Sequence, residues 1–415
     1  MADRFWVGGT ANWDGTAGTK WALTSGGAGG QSVPTNSDDV FFDAASGAAI
    51  CIISTGNLGA KTLNCTGFTG TLAGSAVLNT FGNITLGAGM TNLYNGTIAV
   101  NAATIITSNG KPFPGNLALQ AGGGVTTTLG DALVVAGSIQ MTQGNLDLNG
   151  FPCSAGSFGG NSSNFRSIIF GAQNITLTST TANDVIIFMS TATSFSWTGT
   201  GGFVRNMGAA ATVDFGTTAG GSTANAPNLT VNGGASNLTI AANSWLNNLS
   251  FTGSTCVVLA SNVNIAGNLT LATGGTYTSF VPTYRDTGTI TSAGKTISSL
   301  TVNGSGVTVT CADALNITNA LTLTAGTLKL KESATSTVGS FVTTGTTLKY
   351  LQSATAGVRA TISAAAGLFA ATYLSIKDSN ATGGATWDAL SPTNVNAGNN
   401  IGWLFPTSGN MFFLF

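Results

Sequence analysis

A short phrase recurs along the chain: asparagine, an aliphatic residue, a small residue, then another apolar residue. It reads Asn83-Ile-Thr-Leu86, Asn116-Leu-Ala-Leu119, Asn145-Leu-Asp-Leu148 and Asn174-Ile-Thr-Leu177, then Asn228-Leu-Thr-Val231, Asn237-Leu-Thr-Ile240, Asn248-Leu-Ser-Phe251 and Asn268-Leu-Thr-Leu271. A variant without the asparagine is Ser299-Leu-Thr-Val302. Apolar residues alternate with small polar ones, which is the period of a strand with one face buried.

The spacing says how such strands stack. Leu229, Leu249 and Leu269 advance by 20 at each step. A second series, Asn237-Leu-Thr-Ile240, Cys256-Val-Val-Leu259 and Gly275-Thr-Tyr-Thr278, advances by 19. Two interleaved series at one period require at least two strands per repeat, with Gly, Asn and Ser at the turns between them. The pattern predicts an all-β chain built as a parallel, right-handed β-solenoid, or β-helix, in which like strands stack and the aliphatic rows form a continuous core. Elsewhere the steps loosen, to 33, 29 and 29 from Ile84 through Leu117 and Leu146 to Ile175, and to 31 from Leu269 to Leu300. Turns of unequal length would account for this, and β-sandwich modules are the alternative. The predicted division is an N-terminal cap over 1–75, solenoid repeats of about 20–30 residues over 76–375, and a C-terminal cap with a Phe-rich tail over 376–415. The Ala-rich stretch 364–371 is the one helical candidate.

The asparagines have a structural role in this picture. Asparagine tolerates left-handed backbone at corners, and it can form ladders from coil to coil. The Asn-x-Ser/Thr matches at Asn83, Asn174, Asn228, Asn268 and Asn316 read the same way, as turn and ladder positions instead of glycan acceptors.

Composition supports strands and excludes much chemistry. Charged residues make up 7% of the 415, and the net charge is −1. The 22 Phe and 7 Trp need burial, so the chain is not a disordered polymer. There is no histidine, which excludes histidine triads, histidine metal sites and histidine proton shuttles within the chain. The charge gives no basic footprint for nucleic acid. No run approaches the ~20 apolar residues of a membrane span. The start, Met1-Ala-Asp-Arg-Phe-Trp6, lacks a basic n-region and an apolar h-region, so folding in the cytosol is expected. The five cysteines, Cys51, Cys65, Cys153, Cys256 and Cys311, are widely spaced without a C-x-x-C. They read as buried thiols, not as a zinc site.

Both ends carry a resemblance. Arg4-Phe-Trp-Val-Gly-Gly-Thr-Ala-Asn-Trp13, Thr24-Ser-Gly-Gly-Ala-Gly-Gly-Gln-Ser-Val-Pro34 and Asp38-Asp-Val-Phe-Phe-Asp43 resemble the opening of a family of repetitive β-rich proteins encoded by tailed bacteriophages and prophages. Asp378-Ser-Asn-Ala-Thr-Gly-Gly-Ala-Thr-Trp387 and Gly398-Asn-Asn-Ile-Gly-Trp-Leu-Phe405 are similar to its closing segment. The middle matches only in style. The resemblance implies a virion structural protein, tail-fibre-like, spike-like or a capsid decoration, assembled in the host cytoplasm. It brings no catalytic residues with it.

Candidate chemistry is sparse. A glycan depolymerase needs two carboxylates close together. Among Asp131, Asp147, Asp184, Asp214, Asp286, Asp313 and Glu332, only Asp313 and Glu332 lie near one period apart. Asp38, Asp39 and Asp43 form a candidate calcium cluster without an EF-hand spacing. Gly122–Gly124 lacks the lysine and the helix of a phosphate loop. The pairs Thr276/Thr278, Thr289/Thr291, Thr308/Thr310 and Thr322/Thr324 could order water as ice-binding faces do, or simply face outward. Trp197, Trp245, Tyr277 and Tyr284 could stack on sugars if exposed. Trp6, Trp13, Trp21, Trp403, Phe412, Phe413 and Phe415 are the candidate docking or oligomer contacts.

The expectation is therefore a non-enzymatic virion protein with no catalytic, cofactor-binding or metal-binding residues. It would form a homotrimer by analogy with fibres, contact other tail or capsid proteins, and reach host surface polysaccharide. A tailspike polysaccharide depolymerase and a bacterial surface adhesin are the alternatives.

Overall fold

In the computed structural model, residues 2–260 and 262–406 are described. Half of the chain, 51%, is strand, and the strands wind as a right-handed parallel β-solenoid of about 17 turns. The backbone divides into two compact units, Met1–Pro227 and Asn228–Phe415.

In the first unit three columns of strands rise side by side. One runs through Asp39–Phe41, Thr62–Asn64, Ile84–Thr85 and Thr104–Thr107, aligning Val40, Leu63, Ile84 and Ile106. A second aligns Leu58, Leu78, Ile98, Leu117, Ile139 and Phe158. A third begins with Ala11–Trp13, Ile50–Ile53 and Thr71–Gly74. All the aligned aliphatic residues are buried, so each rung adds one more layer to a single apolar core. The strand Trp21–Ala22 runs antiparallel to Asp3–Trp6 and covers the first edge of its sheet.

The second unit repeats the plan. Leu229, Leu249, Leu269, Ile290 and Cys311 stack in one column. Leu246, Ile265, Tyr284, Val302 and Leu323 stack in another. Tyr277, Ile297, Ile317 and Val338 belong to the third. Rungs are tightly spaced: a Cβ on Gly288 would lie 2.0 Å from the Gly267 carbonyl oxygen.

Three columns explain the loosened spacing. Leu269 and Leu300 fall out of step because they lie in different columns: Leu269 pairs with Ile290 and Leu300 with Leu321. Ile84, Leu117, Leu146 and Ile175 likewise sample different faces. Their true partners are Ile106, Ile139, Ile168 and Phe203. The second series is also off by one, since Asn237 pairs with Val257, not Cys256. Parallel stacking of this kind replaces the sandwich alternative. Stacking is already under way at Val40 and reaches Ile376 with Asn396.

The Ala-rich stretch 364–371 is not helical. It lies on the strands Ala360–Ala364 and Leu368–Ala370 and the residues around them. Ala360, Ile362, Ala364, Phe369 and Ala371 are buried with strand alternation, so tertiary packing overrides helix propensity.

The asparagine ladder exists in a different form from amide stacking. At several strand heads the amide oxygen accepts a backbone N–H of the next rung. Asn248 Oδ1 takes the Asn268 N–H at 2.8 Å and Asn268 Oδ1 takes the Thr289 N–H at 2.9 Å. Asn83 does the same for Ile105, Asn116 for Ser138 and Asn174 for Gly202. The left-handed asparagines are others, including Asn109, Asn149, Asn243 and Asn262 at corners. Asn248 Nδ2 also donates to Asn228 Oδ1 at 2.9 Å. Replacing Asn248 with alanine breaks both links and should cost about 1–3 kcal/mol. Denaturant unfolding of the full chain checks this, and an unchanged midpoint would remove the ladder from the stabilising interactions.

Candidate functional site

At the N-terminal end the aromatic residues of the opening segments converge. Trp21 meets Trp6 and Trp13 edge-on, each at 5.1 Å between ring centroids. Phe42 stacks on Trp6 at 5.7 Å and touches Phe68 at 5.2 Å. Asp43 caps the short 3-10 turn Ala44–Ser46, and Ser46 Oγ donates to the Trp6 carbonyl at 2.7 Å. Trp6, Trp13 and Trp21 are fully buried. Towards the other end Trp387 packs against Trp403 and Phe369, each at 5.1 Å, and Trp403 Nε1 donates to Ser379 Oγ at 3.0 Å.

This corrects the docking expectation for Trp6, Trp13, Trp21 and Trp403. Their rings lie inside their own coils and offer no contact surface, because burying an indole against other aromatics outweighs leaving it in water. Phe412, Phe413 and Phe415 lie outside the described residues.

The three N-terminal aspartates do not converge. Asp38 accepts from the Thr35 backbone and hydroxyl and from Ala2 N. Burial works against its charge, but the hydrogen bonds and the nearby Arg4 hold its carboxyl below the ordinary range. Asp39 holds Thr62 and Lys61, and Asp43 holds its turn. Among the described residues, no group of three or more acids or thiols is placed to hold a metal ion.

The acid pair also separates into structural tasks. Asp313 accepts the backbone N–H groups of Ser292 at 2.8 Å and Ala293 at 2.7 Å, one rung below. Glu332 pairs with Lys331 at 2.5 Å. Asp131 repeats the Asp313 arrangement in the first unit, accepting from Ser108 at 2.7 Å and Asn109 at 2.6 Å. In both places the serine hydroxyl donates at 2.8 Å to the carbonyl following the aspartate. The signal was present in the sequence as Thr-Ser-x-Gly-Lys followed by Asp-Ala-Leu, at 107–111 with 131–133 and at 291–295 with 313–315. It marks a carboxylate clip between rungs, and spacing alone did not distinguish it from catalysis.

The threonine pairs align in part. Thr289 lies beside Thr310 and Thr308 beside Thr327, but the rows run on into Lys329 and Tyr350. The five thiols are free and buried. Burial pushes Cys65 and Cys153 up to about 12 and raises the others too. Ellman's reagent should therefore find almost no thiol in the native chain near pH 8 and all five after unfolding, because the thiolate is the reactive form. Rapid labelling of the native chain would contradict the burial.

Of the aromatic residues considered for sugar contact, Tyr277 and Tyr284 are in the core. Trp197 donates to the Ala226 carbonyl at 3.0 Å and packs edge-on to Phe170. Trp245 differs: it is half-exposed on an outer face of the second unit, with the Arg285 guanidinium 6.0 Å from its ring centroid. Arg285 Nε donates to Asn264 Oδ1 at 2.8 Å, and Asn264 Nδ2 donates to the Asn243 carbonyl at 3.1 Å.

No family model, curated protein or solved structure matches the chain. Among the described residues no helix is long and apolar enough to cross a membrane.

Proposed function

We propose that the chain is a non-enzymatic structural component of a tailed-bacteriophage particle, a fibre, spike or head decoration that presents a β-solenoid towards the host surface. The supporting observation is where the family-like segments fall. The opening segments supply Trp6, Trp13 and Phe42 of the buried cluster in the first unit, and Trp21, which completes it, lies between them in the chain. The closing segment supplies the Trp387–Trp403 cluster of the second. A stack of parallel strands needs atypical ends, since an open rung is an unpaired sheet edge. The non-enzymatic part of the reading is supported by Asp313 and Glu332, which are each engaged in bonds within the chain, to backbone N–H groups and to Lys331. A homotrimer, with other tail or capsid proteins as neighbours, completes the proposal by analogy with fibres.

Immunogold labelling of phage particles produced from the genome that encodes the chain, with antibody against the purified protein, tests the assignment. Label on tails or heads is expected. Particles free of the chain would overturn it. Light scattering of the purified protein tests the trimer separately, and a monomeric mass would remove that element.

A further inference from the structure

We infer that Trp245, Asn264 and Arg285 form a binding subsite for an acidic saccharide, one carrying a carboxylate on the sugar ring. The inference rests on the attachment reading and names the chemistry of the surface that such a particle would grip. Trp245 and Asn264 are partners in adjacent strands, and Thr283 continues their row on the next rung. Arg285 follows two positions on, so strand alternation puts it on the same outer face as Thr283. Asn264 and Thr283 are buried, while Trp245 and Arg285 are half-exposed above them.

The arginine is held but not neutralised. Its Nε is bonded to Asn264 and its cation faces the indole, which fixes the plane of the guanidinium. Its Nη groups make no hydrogen bond or ion pair with any described residue, and neither does Trp245 Nε1. The ion pairs among the described residues are Lys20 with Asp14, Lys61 with Asp39, and Lys331 with Glu332. A pre-oriented guanidinium with free Nη donors suits a carboxylate, which it can bind through two parallel hydrogen bonds. An indole beside it suits the C–H face of a sugar ring, and its free N–H suits a hydroxyl. A neutral sugar would leave the cation unused, and a bare anion would leave the indole unused.

Calorimetric titration of the full-length chain with trigalacturonate tests this, with maltotriose and inorganic phosphate as comparison probes. Trigalacturonate should bind at least about tenfold more tightly than either, since a charged hydrogen-bonded pair is worth that factor or more. Arg285→Gln and Trp245→Ala should each weaken it by about tenfold or more. Arg285→Lys should recover only part, because an ammonium cannot make the parallel pair. Both side chains are half-exposed, and unchanged circular dichroism will show that the variants remain folded. No binding of trigalacturonate at millimolar concentration, equal binding of phosphate, or wild-type affinity in both variants would overturn the subsite. The titration needs no particle, so its failure is distinguishable from a failure of the immunogold assignment.

Discussion

Trp21→Ala should destabilise the first unit by about 3–5 kcal/mol, the cost of deleting a fully buried large aromatic side chain. Trp21 is fully buried, and its ring contacts Trp6 and Trp13 edge-on and Phe42 at 6.2 Å. It also lies on the antiparallel strand that covers the first sheet edge. Alanine would leave a cavity at the point where the stack ends, with no further rung to collapse into it. Trp21→Phe makes a sharper comparison. The Trp21 Nε1 hydrogen is buried without a partner, an arrangement that costs free energy in the native state. Phenylalanine keeps most of the aromatic surface and deletes that donor, so it should lose far less than alanine does. Denaturant unfolding followed by circular dichroism reads both variants. An alanine variant within about 0.5 kcal/mol of the parent, the usual range of a surface change, would remove the cluster from its role as end cap.

The solenoid was legible because its core is periodic. Leu229, Leu249 and Leu269 stand in one column in the structure as in the sequence, since one rung is one period. The number of columns was not legible. The same Asn-aliphatic phrase heads strands on different faces, so reading every occurrence as one series mixed columns, whereas the true rungs advance by 22 residues at Ile84, Leu117 and Leu146 and by 28 at Ile175, where the turn itself is longer. The tryptophan density marked the two aromatic clusters, but their burial could not be read from it, because a cluster that packs inside its own coils and one that binds a partner use the same residues. The acids were ambiguous for a related reason. One period of separation puts two carboxylates on neighbouring rungs whether they face a substrate or clip backbone N–H groups. Only the positions of Ser292 and Ala293 relative to Asp313 separate the two. Trp245 and Arg285 are two rungs apart in the chain, and their approach depends on the column of Leu246, Ile265 and Tyr284, which spacing had not revealed.

Arg166→Met should cost at least about 1–3 kcal/mol, the range for leaving a buried hydrogen-bond acceptor without its donor. Arg166 is fully buried, yet no carboxylate pairs with it among the described residues. Its Nη1 donates to the Gly160 carbonyl at 2.5 Å, its Nη2 to Thr191 at 2.9 Å and Thr193 at 3.0 Å, and its Nε to Asn164 at 3.3 Å. The guanidinium lies 6.0 Å from the Phe195 ring centroid. One planar cation thus ties the segment 160–164 to the corner 191–193 of the next rung. Gly160, Asn164 and Thr193 lie outside the strands and Thr191 ends one, and the arginine supplies donors to their carbonyls. Lys349 follows the same logic in the second unit: it is buried, donates to the Gly345 and Thr372 carbonyls, and faces the Tyr373 ring. Methionine at 166 preserves length and apolar contact but removes every donor. Lysine preserves charge but cannot span carbonyls on both sides, so Arg166→Lys should fall between methionine and the parent. Limited proteolysis should report the damage locally, with new cleavage in 160–165 or near 191–194 before global unfolding. If Arg166→Met retains the parent's unfolding midpoint and protease pattern, water must satisfy those carbonyls as well as the guanidinium does, and the buried cation would not be what joins the two rungs.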